Sequence, residues 1–437
     1  MTRFKNSACT SIMVDKKASM DGSTFIARNE DRVVAIEPKR FIVQPAVSGR
    51  DETYVSPYNK LTVKLPATGM RYTATPSGDQ SMGPNEEDGF NEANVGESAT
   101  ESVYANDRVL AYDPYIKNGL AEDSMTNLVL PYIHSAREGV EYLGTLVSKY
   151  GSAEGNGVQF NDQNEVWYME IATGHHWVAV RIPDDCYAVV ANQLAIQEID
   201  FNDPNNFMFH PGIREFVEKN HLNPDPTTFN FRKIFGTADQ SDAIYSEPRV
   251  WIGHQMFSSH QAKGETPEST ELPFLMKPDR LLSVIDAQNY LSNHYEGTGF
   301  DPLTNSPSAH KYRPISLAKT QESHILQTGR KGPDIHWLAM GVANESTYVP
   351  FFNGITKLPA AYGRGKLPAQ LNSAYWIFKH ASVLVDSHLH DFLPLLRDVQ
   401  KERNAAAQKL IRETDNKAAA LQGDALTDYL NDQSDKF

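Results

Sequence analysis

Cys9, one of two cysteines in the chain, sits in the stretch S-A-C-T-S-I-M-V, close behind the first residues. Downstream, R-N-E-D places Arg28 and Asp31 in one short run. A thiol brought beside a guanidinium is a candidate nucleophile, because neighbouring positive charge favours the reactive thiolate. The intervening residues supply a way to bring them together. T-S-I-M-V and S-T-F-I-A-R-N are β-prone, and D-K-K-A-S-M-D-G between them is polar with a glycine turn, which predicts a β-hairpin over 9–31. If Cys9 faces Arg28, Ile12 meets Phe25, Val14 meets Ser23, and residues 15–22 form the loop. Directly opposed side chains in such a pair start about 5 Å apart at Cβ. The same residues also have a plainer use. A cysteine in an apolar strand packs as a small hydrophobe, and an exposed Arg/Asp pair contributes little.

The elements that must hold this hairpin read as layered α+β. Short strands are predicted at R-F-I-V-Q and K-L-T-V-K-L, and T-P-S-G-D-Q-S-M-G-P-N-E-E-D-G reads as a loop. L-A-E-D-S-M-T-N-L-V-L-P-Y-I and A-R-E-G-V-E-Y-L-G-T-L-V-S-K-Y carry apolar residues at helical spacing and predict a helix pair. Four strand-like runs follow from Gly157: G-V-Q-F, E-V-W-Y-M-E-I-A, H-W-V-A-V-R-I and C-Y-A-V-V-A-N. The turn residues between them predict an antiparallel meander. Residues 200–280 are irregular and rich in Pro, Asn and Phe, as an insertion or lid would be. R-L-L-S-V-I-D-A-Q-N-Y-L predicts a helix; strand character returns at R-P-I-S-L-A-K-T-Q-E-S-H-I-L-Q and H-W-L-A-M-G-V-A. The chain from about Ser373 to Phe437 reads as helical. With no repeat and no long flexible linker, one large domain over 9–437 is expected, preceded by a leader of residues 1–8.

Composition excludes several function classes. The formal net charge of -14 opposes nucleic acid and anionic membrane as partners, since both call for a basic footprint. No apolar run is long enough to span a membrane or to form a signal-peptide core. Two cysteines cannot build a disulfide framework, so a reducing, cytoplasmic location is expected. Self-association into a homo-oligomer is left open.

The quoted stretches resemble a known family. C-T-S-I-M-V-D-K-K-A-S-M-D-G-S-T-F-I-A-R-N-E-D, D-G-F-N-E, Y-G-S-A-E-G-N-G-V-Q-F, A-V-V-A-N-Q, P-R-V-W, P-I-S-L-A-K-T-Q-E-S-H-I and Y-V-P-F-F-N-G-I-T occur in the order seen in the cysteine-nucleophile dipeptidases of the Ntn-hydrolase superfamily. The resemblance implies a four-layer αββα sandwich of two antiparallel sheets and a dipeptidase acting on small peptides without a cofactor or metal. It further implies that the mature chain begins at Cys9, whose α-amino group is the base and whose thiolate forms a thioester. Residues 1–8 make the Cys9 nitrogen an amide, so the Ala8–Cys9 bond must be cut for that chemistry. Arg28 and Asp31 match the R-N-x-D of related acylases, where Arg28 would hold the thiolate and Asp31 would orient the terminal amine. Asn192 matches the oxyanion asparagine, with a strand-end turn as its plainer role. Arg249 in E-P-R-V-W matches a later site arginine, and Asn91 in D-G-F-N-E matches either the oxyanion region or a turn. The resemblance extends to amide acylases, and to the secernins, which act as interaction partners.

Other clusters carry less. His175-His176 and His388-x-His390 lack the spacing of a zinc motif, and structural or surface histidines are expected there. G-S-A-E-G-N-G lacks the Lys-Ser/Thr ending of a phosphate loop and reads as a turn. Cys186 reads as a core residue of a buried strand.

Overall fold

The computed structural model describes residues 9–34 and 36–437; the expected leader, residues 1–8, lies outside them. The opening hairpin is β1 (Thr10–Val14) and β2 (Thr24–Asp31). Two short ribbons follow, β3 (Ile42–Gln44) with β6 (Tyr72–Ala74), and β4 (Thr53–Val55) with β5 (Thr62–Lys64). Then come β7 (Asp88–Phe90), β8 (Gly96–Ser102), β9 (Asn156–Asn161), β10 (Val166–Ile171), β11 (Trp177–Arg181), β12 (Tyr187–Val190) and β13 (Phe207–Phe209). β14 (Thr320–Thr328), β15 (Ile335–Met340) and β16 (Val349–Phe352) complete the set.

These strands build two six-stranded sheets, β12-β1-β2-β14-β15-β16 and β13-β11-β10-β9-β8-β7, antiparallel throughout. Period-two alternation decides which side chains fill which layer. On the first sheet Ile12, Val14, Phe25, Ala27 and Ile325 pack with Val250, Ala287 and Tyr290 of the helices Glu247–Phe257 and Val284–Leu291. Their neighbours Met13, Ile26 and Leu326 point the other way and meet Val166, Tyr168, Val178 and Val180 of the second sheet. On that sheet's far side, Trp167, Met169 and Ile171 pack against Val140, Leu143 and Val147 of the helix Ala136–Tyr150. The order is helices, sheet, sheet, helices: the expected αββα sandwich. Each fully buried large apolar side chain contributes about 1.5–3 kcal/mol to holding it.

Four differences from the sequence expectations have physical causes. The hairpin register is shifted by two residues, with Ser11 opposite Arg28, Ile12 opposite Ala27 and Val14 opposite Phe25. Its loop is longer because Asp15 and Lys17 donate backbone bonds to Cys186 and Asp184, while Asp21 holds Ser19 and Ser23. A shift of two keeps every side chain on its own face. The fourth run of the meander, β12, leaves its predecessors and pairs with β1 in the other sheet, and Cys186 lies just before it, buried. The first helix of the expected pair is reduced to Met125–Val129, because Pro131 follows at once within a tight turn. Residues 200–280 are not wholly irregular, since Glu247–Phe257 is a helix packed on β12.

Among the described residues no helix is long and apolar enough to cross a membrane.

The helix Ala136–Tyr150 supplies a stability test. A Cβ on Gly139 would come within 2.5 Å of the ring of Phe160, which is fully buried and has nowhere to retreat. Alanine gains about 1 kcal/mol of helix propensity over glycine, whereas overpacking costs about 1–3 kcal/mol. Gly139→Ala is therefore expected to lower the stability of the chain in a urea titration; an increase would show that the helix-to-sheet spacing is looser than described.

Candidate active site

Cys9 lies at the entrance to β1 and is buried, on the face that looks toward the second sheet. Arg28 projects from β2 on that same face, and its Nη1 donates to the Cys9 Sγ at 3.3 Å. The two-residue shift makes them diagonal neighbours instead of opposed ones, and the length of the arginine closes the gap. A guanidinium with no access to water must find an acceptor for each of its five N–H groups. Nε donates to Ser98 Oγ (3.1 Å), and the second Nη1 hydrogen goes to the Thr100 carbonyl (3.0 Å). Nη2 donates to the Ala99 carbonyl (3.0 Å) and to the Glu87 carbonyl and carboxylate (3.0 and 2.8 Å).

The second sheet is shaped to receive it. β8 slips register between Ala99 and Glu101, so that Thr100 is passed over in the pairing with β9. Such a bulge turns backbone groups out of the ladder, and here two consecutive carbonyls end on Arg28. Glu87 also faces Arg32 (3.2 Å) and Lys39 (3.7 Å). Burial works to raise its carboxyl, but Lys39, Arg32 and Arg28 together outweigh that and hold it below its ordinary value. Glu30, the other carboxylate on Lys39, is pushed up to about 8 by burial and by Glu87.

Arg28 does not win at Cys9 itself. Burial raises the thiol well above its ordinary value; Arg28 lowers it, while Glu101, Glu122 and Asp31 raise it further. The expectation that the neighbouring cation would bring the thiol into the working range is corrected here: desolvation is the larger effect. The arginine is placed to stabilise a thiolate once a base has taken the proton.

The remaining sequence candidates divide into two groups. Asn192 and Arg249 join Cys9. Arg249 Nη1 donates to the Cys9 carbonyl and to Thr10 Oγ1 (2.7 Å), and its Nη2 donates to Asn192 Oδ1 (2.7 Å). Both Asn192 amide hydrogens are engaged, by Glu101 Oε1 (3.0 Å) and the Ser102 carbonyl (3.0 Å). Asp31 shares a cavity of about 320 Å³ with Cys9, and its oxygens accept from Arg313 Nη2 and Thr320 Oγ1. Asn91 takes its plainer role: its amide ties the Leu130 and Ile133 carbonyls, and its oxygen accepts from Ala93 and Val95.

Three site residues had no signal in the sequence: Glu87, Glu101 and Arg313. Glu101 reaches across from β8 to Ser11 Oγ (2.7 Å) as well as to Asn192, and burial pushes its carboxyl up to about 7. Each is recognisable only by its partner, from which it is separated by long stretches of chain.

The histidine pairs do not assemble into a ligand set. His175 and His176 both bond Asp113 (2.9 and 2.7 Å), and His388 bonds the neighbouring Ser387. Among the described residues, the ligand-type atoms that gather within 4.8 Å belong to Asp88, Glu322 and His324. His324 is already held between Glu322 (3.0 Å) and Ser98 (2.8 Å), and Asp88 pairs with His336 at 2.7 Å. A larger cavity of about 570 Å³, between residues 328–334 and the C-terminal helices, contains none of the residues around Cys9.

Comparison with known proteins places these residues in context. Residues 8–402 match Peptidase family C69. The chain is 56% identical over 430 residues to a probable dipeptidase of Latilactobacillus sakei, covering 97% of this chain and 90% of that one. It is 40% identical over 423 residues to probable dipeptidase B of Lactococcus lactis subsp. lactis (strain IL1403), with 94% and 88% covered. Among solved structures, penicillin V acylase from Agrobacterium tumefaciens aligns with a TM-score of 0.40 and 13% identity, over 80% of this chain and 87% of that one.

Arg28→Gln tests the web. It removes one partner of a buried ion pair and leaves Glu87 with less compensation, a change that costs about 3–5 kcal/mol. The urea midpoint is expected to fall accordingly; a shift below about 1 kcal/mol would mean that water reaches this site.

Proposed function

This chain belongs to peptidase family C69, and on that premise we propose that it is a dipeptidase whose nucleophile is Cys9, freed as the N-terminal residue of a single Ntn-hydrolase domain. The observation that carries the reading is the contact of the Cys9 thiol with a fully satisfied, buried Arg28 at the wall of a cavity. The names of the relatives supply the substrate class.

The chemistry follows from the desolvated thiol. With the Ala8–Cys9 bond intact, the nitrogen of Cys9 is an amide and takes no proton. Attack of Sγ on the Ala8 carbonyl carbon transfers the acyl group to sulfur, the nitrogen takes the thiol proton, and water hydrolyses the resulting thioester. The freed α-amino group, which ordinarily titrates near 7.7–8.0, then serves as the base. It takes the thiol proton, and the thiolate beside Arg28 attacks the scissile carbonyl. Collapse of the tetrahedral adduct returns that proton to the leaving amine and leaves a thioester on Cys9. Water, deprotonated by the same amine, releases the acid and regenerates the thiol.

In this scheme Asp31, held by Arg313 and Thr320, orients the α-amine. Arg249 fixes the Cys9 carbonyl and the Asn192 side chain. Asn192 donates to the oxyanion by exchanging one of its two present acceptors, and an amide donor in that place is worth roughly 2.7–4 kcal/mol of barrier. Both cysteines are free thiols, which suits a reducing, cytoplasmic setting.

Hydrolysis of a panel of dipeptides by the wild-type chain and by Cys9→Ala tests the reading. Turnover is expected in the wild type and to fall at least about a thousandfold in the variant, with the thermal midpoint retained. Equal turnover in both would remove Cys9 from the chemistry.

A further inference from the structure

A dipeptide carries its ammonium group on the carbon next to the scissile carbonyl, so the group that recognises it must lie on the same wall as the nucleophile. The cavity beside Cys9 is lined by five carboxylates, Asp31, Glu37, Glu122, Asp123 and Glu154, against one cation, Arg32. Three of the five accept a hydrogen bond from a side-chain hydroxyl or guanidinium. Asp31 accepts from Arg313 and Thr320, Asp123 accepts from Ser56 Oγ (2.8 Å), and Glu37 accepts from Ser77 Oγ (2.6 Å).

Glu122 differs. Among the described residues its carboxylate has one partner, Arg32 Nη1 at 3.5 Å, and that guanidinium is shared with Glu30, Glu37 and Glu87. Glu154 Oε1 accepts the backbone N–H of Glu122 at 2.8 Å, which holds the Glu154 carboxylate against the residue that carries the other. Two adjacent carboxylates under one shared cation are short of positive charge. Burial pushes both carboxyls upward, Glu122 to about 8 with the charges of Glu87 and Glu154 adding to it, and Glu154 with the charge of Asp123 adding to it. A primary ammonium brings one positive charge and three N–H donors, which is what such a pair lacks.

We infer that Glu122 and Glu154 form the subsite for the free ammonium group of the substrate. The inference rests on the dipeptidase reading above and adds its selectivity: the cavity takes an unblocked amine in preference to an acylated one. An N-acylated peptide would leave both carboxylates without the cation, so the discrimination comes from the wall and not from the nucleophile.

Steady-state hydrolysis of L-alanyl-L-alanine and its N-acetyl derivative by the full-length wild type, Glu122→Gln and Glu154→Gln reads this directly. In the wild type the free dipeptide is expected to be preferred at least tenfold. In Glu122→Gln its KM is expected to rise on the order of tenfold or more, with no loss on the acetylated compound. Equal loss on both compounds, or an unchanged KM in variants that keep the wild-type melting midpoint, overturns the subsite and leaves the dipeptidase reading standing. If Glu122→Gln melts early, Glu154→Gln carries the same comparison. A wild type that cleaves the acetylated compound as well as the free one overturns the subsite without any variant. If the wild type cleaves neither, the dipeptidase reading fails separately, and the subsite is judged by protection of Cys9 from iodoacetamide. Protection by alanyl-alanine that is lost in Glu122→Gln supports it, and no protection, or equal protection, overturns it.

Discussion

A guanidinium buried between two sheets leaves little freedom to the residues around it, because each N–H it carries must end on an acceptor. Arg28 meets that demand with Cys9 on its own sheet and with Ser98, Ala99, Thr100 and Glu87 facing it. The bulge in β8, the position of Glu87 and the approach of the two sheets at this end all answer to that one side chain. A buried charge of this kind is weak evidence for stability as such. Its use here is positional, since it sets where the thiol of Cys9 sits and what faces it.

From that fixed point the neighbouring polar groups form a chain that joins both sheets and an outer helix. Ser11 and Asn192 meet on Glu101; Asn192 and the Cys9 carbonyl meet on Arg249; Arg249 and Arg313 both lie over the Tyr245 ring, at 5.0 and 5.3 Å. Burial and the shared positive charge of Arg313 lower Arg249 to about 10. Cys9 is thus held through its sulfur and its carbonyl.

The fold was legible where local pattern decides it. The hairpin, the helix Ala136–Tyr150, the helix Val284–Leu291 and the C-terminal helices follow from periodicity. β12 is legible as a strand, but its neighbour is not, because its partner β1 lies far back in the chain and pairing carries no local mark. The site divides on the same line. Cys9, Arg28 and Asp31 stand in one hairpin and could be connected by register alone, even with the register off by two. Asn192 and Arg249 came from resemblance, and the structure brings them to Cys9. Glu87, Glu101 and Arg313 were invisible, since a buried carboxylate and a surface one look alike until the facing sheet is in place. Sequence reasoning also overrated the cation beside the thiol, because desolvation depends on a burial that composition does not reveal.

The central claim is that Cys9 becomes the N-terminal residue and works from there. Intact-mass spectrometry of the purified full-length product, alongside Cys9→Ala, tests it most directly. The account predicts a wild-type species that has lost residues 1–8 and begins at Cys9, with the variant retaining them. A wild-type chain that keeps its leader while hydrolysing dipeptides would contradict it.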